Sequence, residues 1–121
     1  MSTRRARSSQ VVLLGPHGVA CERLEVARGA VASARGLLGR SSLGPDEGLL
    51  LKARRVHTFG MRFPIDAVFC GRDLRVVGVE TLEPNRLSRR YRGARRCVEL
   101  AAGAASRAGI VPGVTLRTGQ R

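Results

Sequence analysis

The stretch IDAVFCGRDLRVVGVETL (65–82) gives the clearest indication of how this chain folds. Its first six residues form an apolar run that is typical of a strand, and residues 71–73 (Gly-Arg-Asp) have the composition of a turn. Residues 74–82 are rich in valine and leucine, which favours a second strand. The stretch therefore predicts a β-hairpin in the middle of the chain.

Further strands and two helices are predicted on either side of this hairpin. Short apolar runs predict strands at residues 11–14, 19–26, 48–51, 97–100 and 114–116. Apolar positions three to four residues apart predict a helix over 30–40, and the alanine-rich segment 101–108 predicts a shorter one. We therefore expect an α+β fold that is mainly antiparallel β, with a partly closed, barrel-like sheet and two short helices.

The length of 121 residues corresponds to one domain. We expect residues 11–118 to form it, after a disordered basic tail at residues 1–10. The apolar run Val11–Leu14 is shorter than the core of a secretory signal, which needs about 7–15 apolar residues. No run approaches the length of a membrane span. The sequence therefore predicts a cytoplasmic protein.

Positive charge dominates the composition, with 22 Lys and Arg against 9 Asp and Glu, a formal net charge of +13. All of the basic residues except Lys52 are arginine. A biased codon usage would explain arginine in place of lysine, but it would not explain the shortage of acids. The surplus favours an anionic partner, which could be nucleic acid, an acidic lipid surface or an acidic protein.

Six arginines lie within eleven residues, and no acidic residue lies between Glu83 and Glu99. They are Arg86, Arg89, Arg90, Arg92, Arg95 and Arg96. One interpretation is an anion-binding surface. The other is a solvated loop whose guanidinium groups reach back to Glu80, Glu83 or Glu99.

Three widely spaced cysteines, Cys21, Cys70 and Cys97, form no Cys-x-x-Cys pair. Neither a zinc site nor a redox pair is therefore predicted, and buried free thiols are the simpler interpretation. We expect no metal and no cofactor.

Four blocks of sequence follow one another in a recognisable order. They are RGLLGRSSL (35–43), GLLL (48–51), HTFGMRFPIDAVF (57–69) and CVELAAGAASRAGIVPGVTL (97–116). Together they resemble the domain-of-unknown-function 192 family over about residues 11–118. The resemblance implies a compact, mainly β domain and no particular function. At residues 58–62 this chain lacks the Trp that many relatives have, so a ligand stacked on that Trp would be lost.

The second candidate site is a set of residues that could form a ligand pocket or a structural cluster. Its members are Arg35, His57, Thr58, Met61, Asp66 and Glu99. Asp66 lies in an apolar strand, where a carboxylate is costly unless it is paired or hydrogen-bonded.

Asp66 could act as a general base with His57, or it could accept backbone N–H groups or a guanidinium and fix a loop. Arg35 could reach Asp66 or Glu99 as an architectural clasp.

The sequence contains no Gly-x-Ser-x-Gly, no Walker loop and no Gly-x-Gly-x-x-Gly. This favours a non-catalytic binding or accessory module with a basic face for an anionic partner. One alternative is a small hydrolase or ligand-processing enzyme with a pocket around His57, Asp66 and Arg35. Another is an accessory component of a membrane-associated pilus or secretion assembly. The sequence predicts no oligomeric state.

Overall fold

The computed structural model describes residues 8–27 and 37–120. Within these ranges the strands are β1 (Ser8–Gly15), β2 (Gly18–Ala27), β3 (Glu47–Lys52), β4 (Ile65–Cys70), β5 (Val76–Leu82), β6 (Arg96–Ala101) and β7 (Arg117–Gly119). One short helix, α1 (Ala104–Arg107), lies between β6 and β7. The described part of the protein is therefore mostly β.

The strands form one mixed sheet in the order β5-β4-β6-β3-β2-β1-β7. Strands β2 and β3 run parallel, and every other neighbouring pair runs antiparallel. The hairpin predicted from residues 65–82 is present as β4 and β5, with Ile65 opposite Leu82. Strand β6 lies between β3 and β4, so Glu99 is opposite Leu49 on one side and Ala67 on the other.

The sheet is open, which corrects the expectation of a partly closed barrel. Its edge strands are β5 and β7. The predicted strand at 114–116 is a connecting segment, in which Leu116 N donates to Leu74 O at 3.0 Å and Val76 N donates to Val114 O at 2.8 Å. These bonds join the start of β5 to the residues before β7. They are too few to pair β5 with β7, so the two edge strands do not close the sheet into a barrel.

The described residues contain one helix where two were predicted. Segment 101–108 is helical only over α1, because Ala101 still pairs with Ile65 in the sheet and Gly103 adopts a left-handed φ of 91°. Of the helix predicted over 30–40, residues 30–36 lie outside the described ranges, and residues 37–39 form a turn.

The N-terminal tail was also predicted too long. Residues 8–10 belong to β1, where Ser8 pairs with Ala27 and Gln10 pairs with Glu25. Residues 1–7 lie outside the described ranges.

Apolar side chains cover both faces of the sheet. On β6, Val98 and Leu100 point into a core that also contains Ala105 of α1, whereas Cys97 points into a second core with Phe69. All six residues of β4 are buried, which explains why every position except Asp66 is apolar and the strand does not alternate. The two cores lie on opposite faces because successive side chains of a strand alternate.

Candidate functional site

Asp66 is buried on the face of the sheet that carries α1. Its Oδ2 accepts hydrogen bonds from Gly103 N and Ala105 N, both at 3.0 Å, and its Oδ1 accepts one from Thr81 Oγ1 at 2.7 Å. The carboxylate therefore ties β4 to β5 and to the first turn of α1. Three donors occupy its two oxygens, an arrangement that favours the architectural interpretation of Asp66 over that of a general base.

Glu99 occupies the opposite face of the sheet. Its side chain is 4% exposed, and its Oε1 has no hydrogen-bond partner within the part of the chain that the structure describes. Burial raises the pKa of this carboxyl to about 7. Because Asp66 and Glu99 point in opposite directions, one arginine clasp cannot hold both. Arg35 lies outside the described residues, so its pairing with either carboxylate stays a prediction.

The loop between β3 and β4 carries His57, Thr58 and Met61, and it runs beside residues 86–96, the arginine-rich segment. Thr58 Oγ1 donates to Glu83 O at 2.6 Å and accepts from Arg86 N at 2.9 Å, which joins the two segments. Met61 is buried in the second core. His57 is exposed, and its Nδ1 accepts a hydrogen bond from Phe59 N at 3.1 Å.

The hydrogen bonds of these residues do not bring His57 and Asp66 together. The carboxylate of Asp66 is engaged by β5 and by α1, whereas the described contacts of His57 are with Phe59 and Leu87. The predicted cluster is therefore divided among two faces of the sheet and one loop. This division gives no support to a shared acid–base site.

The arginine-rich segment is fixed to the sheet by Tyr91. The ring of Tyr91 stacks on Phe69 at 4.7 Å between centroids and lies directly over Gly78, where a Cβ atom would overlap it. Its hydroxyl donates to Glu80 Oε1 at 3.1 Å, and Arg89 N donates to the same oxygen at 3.0 Å. The backbone of this segment is thus held at a defined place along β5.

The guanidinium groups of this segment differ in exposure. Arg86, Arg89, Arg90 and Arg92 are exposed, whereas Arg95 and Arg96 are half-buried. The last two donate to the main-chain oxygens of Ala94 and Arg95. In the described ranges, none of the six forms an ion pair with Glu80, Glu83 or Glu99. The ion pairs seen there join Arg23 and Arg40 to Asp46 and Glu47.

All three cysteines are buried and free. Desolvation raises the pKa of each thiol: Cys70 to about 12, Cys97 well above its usual value and Cys21 to a smaller extent. Because the thiolate is the nucleophile and the metal ligand, these residues are poorly suited to either role. The described residues contain no group of three His, Cys, Asp or Glu side chains arranged to hold a metal.

The segment that pairs with the arginine-rich segment was not predicted from the sequence. Segments 55–60 and 85–88 run side by side. Arg55 Nε donates to Ser88 O at 2.9 Å, and Val56 N donates to Ser88 Oγ at 3.0 Å. His57 also forms an isolated antiparallel β-bridge with Leu87. The sequence of residues 55–59 carries no hydropathy signal for this pairing, because the polar Thr58 is buried and the apolar Phe59 is exposed.

The chain matches the model of the domain-of-unknown-function 192 (DUF192) family, described as "Uncharacterized ACR", over residues 13–118. This protein therefore belongs to the DUF192 family, which confirms the resemblance found in its sequence.

Two solved structures are similar. A protein of unknown function from Novosphingobium aromaticivorans DSM 12444 is 25% identical, with a TM-score of 0.75 and coverage of 91% of this chain and 84% of that one. A protein from Sinorhizobium meliloti 1021, described as "a putative transcription regulator", is 25% identical, with a TM-score of 0.71 and coverage of 92% and 93%. No curated protein matches the chain. Among the described residues, no helix has the length and apolar character that a membrane span requires.

Proposed function

We propose that this protein is a non-catalytic binding module whose basic face engages nucleic acid. The basic face is defined by exposed arginines on two adjoining segments. They are Arg54, Arg55, Arg86, Arg89, Arg90 and Arg92. The observation that carries the proposal is the absence of ion pairs between these six residues and the acidic residues of the described ranges.

Uncompensated arginines are suited to phosphate groups. Each guanidinium carries a permanent charge and several donors in a fork that matches phosphate oxygens. Within the described ranges Arg55 donates one hydrogen bond, from Nε to the main-chain oxygen of Ser88, which leaves its two Nη groups to bind an anion. Glu80, a carboxylate of β5 beside the segment, receives hydrogen bonds from Arg89 N and from the Tyr91 hydroxyl.

The backbone beneath the basic face is fixed by buried contacts. Thr58 and Ser88 are 0% and 1% exposed and hold the two segments together, while Tyr91 anchors the second segment on β5. A fixed backbone lowers the entropy that is lost when charged side chains engage a partner. The similar protein described as "a putative transcription regulator" is compatible with a nucleic-acid partner.

A catalytic function has less support from the same geometry. Both oxygens of Asp66 accept hydrogen bonds from the protein itself, and His57 Nδ1 accepts one from the main chain. A general base needs a free acceptor within reach of its substrate.

Salt dependence of binding tests the proposal. Duplex DNA of unrelated sequences should bind at low salt, and affinity should fall steeply with salt because phosphate contacts release counterions. Arg89→Gln/Arg90→Gln/Arg92→Gln removes three charges and should make the slope of log affinity against log salt shallower by about two to three units. Fluorescence anisotropy with a labelled oligonucleotide measures both quantities.

A matched control removes the same charge elsewhere. Three exposed arginines outside the basic face serve for this purpose. Arg75 forms an isolated β-bridge with Thr115, Arg107 lies in α1, and Arg117 lies in β7. Their triple Gln variant should keep the wild-type slope. Equal slopes for both triple variants, binding only to acidic phospholipid vesicles, or no binding at low salt would each contradict the proposal.

A further inference from the structure

The loop between β3 and β4 presents two exposed rings. From residue 55 to 59, side chains alternate: Val56 and Thr58 are buried, whereas Arg55, His57 and Phe59 are exposed. Arg55 lies in a bend, His57 forms an isolated β-bridge with Leu87, and Phe59 begins the turn that the hydrogen bond from Met61 N to Thr58 O closes. We call these three exposed residues the row.

The two rings of this row lie against each other. The centroids of His57 and Phe59 are 4.9 Å apart and their planes are inclined by 21°. The hydrogen bond from Phe59 N to His57 Nδ1 fixes the imidazole in this orientation. Phe59 is nevertheless 49% exposed. The stack is therefore held in place, and much of its surface remains available to a ligand.

The apolar surface continues onto the neighbouring segment. Leu87 is 48% exposed and pairs with His57 across the bridge between the two segments. Arg55 lies at one end of the row, and Arg86 lies next to Leu87 in sequence. Exposed rings bordered by guanidinium groups are the combination that holds unpaired bases, because rings stack on base faces and cations follow the phosphates.

We propose that the His57–Phe59 stack is a base-stacking platform, so that the preferred ligand of the basic face is single-stranded nucleic acid. This inference rests on the proposed function. In a duplex the faces of the bases are covered by their neighbours, and only the phosphates can meet the arginines. In a single strand an unstacked base can lie on Phe59 while its phosphates contact Arg55 and Arg86.

A tryptophan at Phe59 would report stacking directly. The chain has no Trp, so Phe59→Trp introduces a single reporter at the platform. Its fluorescence should be quenched when an oligothymidylate of about 20 nucleotides binds, and duplex DNA at equal occupancy should quench it much less. Equal quenching by both ligands would overturn the inference.

Affinity measurements give an independent test. Wild type should bind the single strand at least about ten-fold more tightly than duplex DNA of equal phosphate number. Phe59→Ala should weaken single-strand binding about ten-fold without changing the salt slope, and duplex binding should hardly change. Phe59→Tyr should retain wild-type affinity, because it keeps the ring.

The control is Val111→Ala, which shortens another exposed apolar side chain (54% exposed) on the segment after α1 and should leave affinity unchanged. Phe59 is half exposed, so its variants should have about the same melting temperature as wild type. Equal affinity for single strand and duplex, together with a silent Phe59→Ala, would refute the platform alone. Absence of binding to either would refute the proposed function as well.

Discussion

Glu99 should make the free energy of unfolding of this protein fall as the pH rises from 4.5 to about 7. Burial raises its pKa from 4.5 to about 7, and its Oε1 finds no partner in the described part of the chain. One pKa unit corresponds to about 1.4 kcal/mol, so ionising Glu99 costs the folded state about 3 kcal/mol relative to the unfolded chain.

The sign follows from proton binding. Between pH 4.5 and about 7, folded Glu99 keeps its proton while the unfolded residue has lost it. The folded state then binds more protons than the unfolded state, so the free energy of unfolding falls as pH rises through this window. Above about pH 7 the penalty is complete.

The perturbation is Glu99→Gln, which preserves the shape of the side chain and removes the titration. Both proteins share every other titrating group, so the difference between their unfolding free energies isolates Glu99. Relative to the variant, wild type should lose about 3 kcal/mol between pH 4.5 and pH 8. Urea unfolding at a series of pH values measures this difference. Glu22→Gln, which changes an exposed carboxylate on β2, should follow the wild-type profile. Parallel profiles for wild type and Glu99→Gln would contradict a raised pKa of Glu99 in the folded state.

Two further predictions concern the scaffold. Asp66→Ala should lower the free energy of unfolding by about 1–3 kcal/mol, because it leaves the N–H groups of Gly103 and Ala105 without their acceptor. An unchanged urea midpoint would count against this structural role of Asp66. Gly78→Ala should cost about 1–3 kcal/mol, because the added methyl displaces the ring of Tyr91. Trypsin should then cut the arginine-rich segment faster than in wild type, and equal cleavage rates would contradict the anchoring by Tyr91.

The strands that sequence reasoning found are those whose local pattern agrees with their environment. The hairpin of β4 and β5 was predicted because its first strand is buried on both faces and is therefore apolar at every position except Asp66. The helix predicted from Ala101 failed at its start, because pairing of Ala101 with Ile65 outweighs the helix propensity of alanine. Propensity is local, whereas strand pairing joins residues far apart in sequence.

The candidate site was predicted less completely for the same reason. An acid inside an apolar strand indicated that Asp66 needs partners, but those partners lie 15 to 39 residues further along the chain. Glu99 alternates with apolar neighbours, a pattern that is typical of a strand with one solvated face. The structure shows that both faces of β6 are covered, because Val98 packs in one core and Cys97 packs in the other.

The position of β6 also sets the order in which the sheet can be assembled. Strands β1, β2 and β3 are consecutive neighbours, and so are β4 and β5, and among the described strands β6 is the one that pairs with both groups. During synthesis the residues of both groups emerge before those of β6, so the edges of β3 and β4 have no partner until β6 follows. Such edges attract other chains, and distant pairing slows folding. We therefore expect the insertion of β6 to be a late step of folding, which pairs the two aggregation-prone edges of β3 and β4 at once.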